Sequence, residues 1–189
     1  MSFRDQLLDG RRVALAGAEG GAIIKQLARL GAWVESIGEA AVAGEDPAMV
    51  WAGERSPLHA LVFDTSAGFG SGGEDGLRAA LELAWISARA VATGALIPGG
   101  AGGRLLFVAP RPDAGAYAQA ARSALENLAR TLSVEWARFQ VTAVAVCPGS
   151  GTADEEVAEL VCFLLSEAGG YFTGCRFELG AIAAASTRA

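Results

Sequence analysis

Few side chains in this 189-residue sequence could do chemistry near neutral pH. There is one histidine, His59, one lysine, Lys25, and three cysteines, Cys147, Cys162 and Cys175. Every other cation is an arginine. A mechanism that needs a lysine must therefore use Lys25 or do without. The cysteines lack metal-ligand spacing, and their odd number does not suggest a disulfide framework. Buried thiols are expected instead. His59 stands before an apolar run with no partner pattern, which points to a structural role. The remaining candidate is a glycine-rich turn, Ala16-Gly17-Ala18-Glu19-Gly20-Gly21-Ala22-Ile23. Glycines at such a turn let backbone approach a pyrophosphate at a helix N-terminus. The same residues also suit a tight strand-to-helix turn with no ligand.

The elements that hold this turn follow from apolar spacing. Residues 12–16 (RVALA) form a short apolar run ending at Gly17. Beyond the turn, Ile23, Ile24, Leu27 and Leu30 fall at helical spacing, and Gly31 stops the helix. Residues 32–37 (AWVESI) suit a second strand, completing a strand–helix–strand unit. The polar stretch 39–57 has room for one short helix near 47–52. Residues 61–63 are a third strand. Ser71 and Glu74 have capping-box spacing before a helix carrying Leu77, Leu81, Trp85, Ala88 and Val91. A glycine-rich loop at 98–103 precedes a strand at 104–108. Asp113 opens a long helix to about Arg138, striped by Tyr117, Ala121, Leu125, Leu128, Leu132 and Trp136. Residues 141–147 (VTAVAVC) are nearly all apolar, as expected of a strand covered on both faces. A second capping-box pattern, Thr152 to Glu155, precedes a helix, and residues 176–179 form a last strand. Strands alternating with helices predict an α/β, doubly wound Rossmann-like parallel sheet in one domain spanning 1–189.

Composition narrows the function classes. The chain is 52% hydrophobic, enough for a sizeable core, and its net charge is −6. That acidity argues against nucleic acid and anionic membrane surfaces as partners. No apolar run approaches the ~20 residues of a membrane span, and the polar start, Met1 to Gln6, lacks a signal-peptide core. A cytoplasmic protein is expected.

Several segments, in order, resemble the short-chain dehydrogenase/reductase (SDR) family. They are Arg104 to Val108, Tyr117 in the next helix, Leu128 to Ala137, and Val141 to Gly149 ending in Cys-Pro-Gly. Phe163 to Ser166 and Tyr171 to Gly174 continue the series. The family's Thr-Gly-x-x-x-Gly-x-Gly turn aligns with Gly17 and Gly21 as its first two glycines, the resemblance's only cofactor-binding residues. Ile23 replaces the third glycine, which would narrow the approach of a pyrophosphate, and Glu19 would repel one.

In that family a tyrosine is the general acid/base, a lysine four residues later lowers its pKa, and a serine orients the substrate carbonyl. Tyr117 aligns with the tyrosine, but the fourth residue on is Ala121. Arg122 is one residue out of register, about 100° round the helix. The segment aligned with the serine, Val108 to Pro112, has no hydroxyl. A lone tyrosine titrates near ~10 and needs a neighbouring cation to act as a base. Tyr117 is therefore expected to be a vestigial, helix-packing residue. Residues 39–59 are too few for two crossovers and a strand, each crossover needing about 10–12 residues. One edge strand and one helix, part of the family's adenine pocket, are expected to be missing. The substrate-covering segment after Gly149 is expected to be missing too.

The leading expectation is a non-catalytic subunit with no catalytic residue, no metal and no required cofactor, NAD(P) being the cofactor if there is one. It would assemble through its long helices, 73–93 and 113–138, with a full-length, active SDR as a hetero-oligomer. The alternatives are an NAD(P)-dependent oxidoreductase with an unusual active site, and a homo-oligomeric module that binds a small ligand.

Overall fold

The computed structural model describes residues 6–17, 21–65, 69 and 72–180. Among these residues, six strands lie in one sheet: β1 (Arg12–Gly17), β2 (Trp33–Ser36), β3 (Ala60–Asp64), β4 (Gly103–Val108), β5 (Val141–Pro148) and β6 (Arg176–Leu179). Their spatial order is β2-β1-β3-β4-β5-β6, and every neighbouring pair is parallel. The central strands alternate two apolar faces, and each face is covered. Ala14, Ala16, Leu61, Phe63, Leu105 and Phe107 pack beneath α2 (Gly38–Ala43), α3 (Glu45–Glu54), α4 (Gly73–Val91) and α6 (Ala118–Glu135). Val13, Leu15, Val62, Leu106, Val144 and Val146 pack beneath α1 (Ala22–Arg29) and α7 (Asp154–Leu165). This is the α/β, Rossmann-like architecture that the alternating pattern predicts.

The strand order sets where a ligand could bind. From β1 the chain crosses to β2 on one side, then returns to β3 on the other. In open parallel sheets such a reversal opens a crevice at the carboxyl ends of the strands. The register aligns Gly17 with Asp64, Asp64 with Val108, and Val108 with Val146, so β1, β3 and β4 finish at one level and β5 runs two residues beyond it.

Among the described residues, β2 is the outermost strand on its side, as the short 39–59 segment predicts. Its Trp33 is 69% exposed at this edge. The helix content of that segment differs from expectation, for two short helices, α2 and α3, fill it. Gly44 makes the corner between them at φ 125°, a conformation that favours glycine.

Other boundaries also shift. The helix expected from Asp113 begins only at Ala118, after a turn in which Ala118 N–H donates to the Gly115 carbonyl. Thr152 does not cap α7. Its hydroxyl accepts from Gly149 N–H at 2.9 Å and donates to the Leu179 carbonyl at 3.3 Å. The helix starts at Asp154, with the Glu156 carboxylate accepting from Ala153 N–H at 3.3 Å. Ser71, the proposed cap of α4, lies outside the described residues.

At its C-terminal end α4 runs into a π-helical turn (Ala92–Leu96) and then a short α5 (Ile97–Gly99). The continuous helix Gly73–Gly99 is long and apolar enough, by length and composition, to cross a membrane. Its Ala84, Ala88, Ala90 and Val91 are buried in the core cluster on the sheet, as a sheet-covering helix requires.

Candidate functional site at the carboxyl edge of the sheet

The two glycines that flank the segment after β1 both have positive φ. Gly17 has φ 92°, and a Cβ there would lie 2.0 Å from the Asp64 carbonyl oxygen. Only glycine lets β1 end this close to β3. Gly21 has φ 96° at the N-terminus of α1, where a Cβ would meet nothing within 4 Å. The N-cap residue, Gly21, has no side chain that could accept from the first N–H groups of this helix. Glu19 lies outside the described residues. Ile23, expected to narrow the turn, has its side chain buried against the sheet with Leu27 and Leu30.

The ends of β4 and β5 are organised by two arginines. The Arg122 guanidinium, buried beneath α6, donates from Nη1 to the Pro110 carbonyl at 2.8 Å and the Pro148 carbonyl at 2.7 Å. It thereby joins the chain leaving β4 to the end of β5. Its Nη2 lies 4.0 Å from the Glu178 carboxylate on β6. Arg111 extends the same stitching outward. It donates to the carbonyls of Gly149 and Thr152 and, at 2.6 Å, to the Asp154 carboxylate. The short β5–α7 connection is thus held down by a cation from the β4 side.

Among the described residues, Tyr117 and Lys25 are not brought together at this edge. Tyr117 occupies the position before the first residue of α6 and is 38% exposed, so it does not pack on a helix face as expected. Ala121 is buried. Lys25 is on α1, across the sheet from α6. At the end of β3, Thr65 spends its hydroxyl on the Val108 carbonyl at 2.7 Å.

The other reactive side chains are structural or buried. His59 Nδ1 accepts the Arg12 N–H at 3.0 Å, and burial, with Arg11 adding to it, holds its pKa below the usual histidine value. Cys147 and Cys162 are buried, and Cys175 is half-buried. Burial pushes the Cys162 thiol up to about 12 and raises the other two. A nucleophilic thiolate needs the opposite shift. Among the described residues no group of three potential ligands could hold a metal ion.

With this geometry in view, similarity to known proteins is informative. No protein-family model matches the sequence, and no curated protein matches it either. Solved structures do match. The citronellol catabolism dehydrogenase of Pseudomonas aeruginosa aligns at TM-score 0.72 and 24% identity, over 94% of this chain and 96% of that one. A double mutant of a Serratia marcescens short-chain dehydrogenase/reductase aligns at TM-score 0.71 and 24% identity, over 92% and 97%. The fold is that of the short-chain dehydrogenases/reductases. A Beutenbergia cavernae structure, named for an NAD(P)-dependent gluconate 5-dehydrogenase with bound NADP at low occupancy, aligns at TM-score 0.71 and 22% identity, over 90% and 95%.

On this SDR framework, sequence reasoning located the glycine turn and Tyr117 but missed the arginine stitching. Arg122 drew notice only for standing beside the expected lysine position. Its partners are backbone carbonyls, which leave no mark in a sequence.

Proposed function

We propose that this chain is a non-catalytic, cytoplasmic relative of the SDR enzymes that works as a subunit beside a full-length, active one. One observation carries the reading. At the sheet edge where substrate chemistry would occur, Arg122 and Arg111 are committed to backbone carbonyls and to Asp154, and no lysine accompanies Tyr117. A tyrosine without a neighbouring cation is a poor base at neutral pH. The same arginines tighten the β5–α7 connection, where a substrate-covering segment would need length.

The assembly half of the proposal draws support from the surface. Trp85 on α4 is 41% exposed and Val134 on α6 is 75% exposed. Large apolar groups on the two long helices suit a protein–protein contact. Co-expression with an active SDR from the same cell tests this. Joint purification in fixed ratio is expected, and separate elution of two self-associated proteins would overturn it.

The second reading is an NAD(P)-dependent oxidoreductase. The open, left-handed Gly21 at the N-terminus of α1 favours it, since backbone at a helix start suits a phosphate. The described residues fit the phosphate end of a dinucleotide, through Gly17 and Gly21. They do not supply a lysine at the nicotinamide end or a strand beyond β2 at the adenine end. Calorimetric titration with NADH and NADPH separates the readings. Tight binding, with turnover lost in Tyr117→Phe, would favour the enzyme.

A further inference from the structure

A second cleft opens at the opposite, amino-terminal edge of the sheet. It has a volume of about 270 Å³, and its lining includes Arg11, His59, Gly102, Arg104, Gln140 and Gly170. The glycine-rich loop at 99–103 forms part of the wall. Close contacts require its glycines. A Cβ on Gly102, which has φ +73°, would lie 2.5 Å from the Gln140 carbonyl oxygen, and one on Gly103 would lie 2.6 Å from a Leu96 methyl. The π-helical turn that ends α4 contributes Ala95 and Leu96 to the wall. Such turns are rare in helices and recur at functional sites.

The cleft concentrates positive charge in a protein of net charge −6. Arg104 is anchored in place, for its guanidinium donates to the Leu164 carbonyl at 2.9 Å and to the Ser166 carbonyl. A Cβ on Gly170 would sit 2.8 Å from Arg104 Nη2, so the guanidinium lies close against this backbone. Among the described residues no carboxylate lines the cleft. Burial and the charge of Arg11 both press Arg104 towards its neutral form, and Glu167 partly offsets them. His59 feels Arg11 and Arg12 in the same sense. Because His59 Nδ1 accepts the Arg12 N–H, the neutral ring carries its proton on Nε2, as a donor.

We propose that this cleft binds a small anion, through the Arg11 and Arg104 guanidinium groups, the His59 ring N–H and the backbone of the glycine loop. The ligand carries a phosphate or carboxylate group, which arginine recognises by paired N–H donors. Its size is limited, since pockets for drug-sized ligands span roughly 300–1,000 Å³. A single phosphate or a short carboxylic acid fits, and a dinucleotide does not. The site lies at the far end of the strands from Gly17 and Gly21 and stands independently of the subunit proposal.

The test is an NMR titration of ¹⁵N-labelled protein with inorganic phosphate and, separately, with succinate, both at constant ionic strength set by chloride. Saturable shifts at the Gly102 and Gly103 amides and the His59 ring are expected with at least one anion. The tighter of the two identifies the group recognised. Arg11→Gln removes one charge without touching the bonds that anchor Arg104. It is expected to weaken binding about tenfold, with an unchanged melting temperature. Shifts that neither anion produces beyond the chloride control would overturn the proposal. So would equal affinity in Arg11→Gln.

Discussion

Arg122 is 8% exposed and has two carbonyl oxygens within 2.8 Å. Buried cations persist only where hydrogen bonds replace their water. The corollary is that Arg122→Ala leaves the Pro110 and Pro148 carbonyls short of a donor. It is expected to cost about 2–4 kcal/mol of stability, read from the urea midpoint. A loss below half a kcal/mol would mean that water replaces the guanidinium freely. The Glu35 carboxylate offers a pH test. The Arg12 hydrogen bond at 2.7 Å holds it below its ordinary value of 4.5, against the opposing effect of burial, and Arg55 at 3.0 Å adds to the lowering. Its folded value is depressed, so its contribution is present above 4.5 and is lost as pH falls through the folded value. Glu35→Gln should therefore be less stable than the unmodified chain at pH 7, and the gap should close in acid. The side chain is partly exposed, so solvent screening keeps the effect small. Equal pH profiles of the urea midpoint would contradict the pairing.

At the scale of elements, the glycine turn separates two roles that sequence alone left mixed. Gly17 is held by packing, since a Cβ there would collide with backbone at 2.0 Å, whereas Gly21 has open space and only its φ of 96° requires glycine. Gly17→Ala is therefore expected to unfold the β1 end or fail to accumulate. Gly21→Ala should cost about 1–3 kcal/mol, measured by thermal melting, with the fold intact. Comparable losses in both would contradict this division. The strands and most helices were legible in the sequence because their signal is local: apolar runs such as 141–147, helical spacing such as Ile23 to Leu30, and glycines at the stops. What escaped depended on distant partners. Thr152 has the spacing of a cap, yet its hydroxyl goes to Gly149 and to Leu179, 27 residues away. Tyr117 falls on the apolar stripe of α6, yet the helix begins one residue later. The two short helices between β2 and β3 were blurred because their apolar content is mostly alanine, with Ala41, Ala48 and Ala52 buried.

For the whole molecule, the alternation of strands and helices predicted the doubly wound sheet because a parallel strand covered on both faces is apolar along its length. Among the described residues the six-stranded sheet ends at β2, where Trp33 is largely exposed, as the short segment before β3 implied. The candidate site was only half legible. That Ala121 stands four residues after Tyr117, and that residues 108–112 hold no hydroxyl, could be read directly, but the stitching by Arg111 and Arg122 joins residues 12 to 43 positions apart. That stitching makes the carboxyl edge a structural joint and shifts weight towards the outer helices. The measurement that tests the central claim most directly is the native mass of the complex carrying this chain, recovered from its own cell. The account predicts a mixed assembly containing this chain and a full-length SDR that retains its tyrosine and lysine. A particle made of this chain alone, at any copy number, would contradict it.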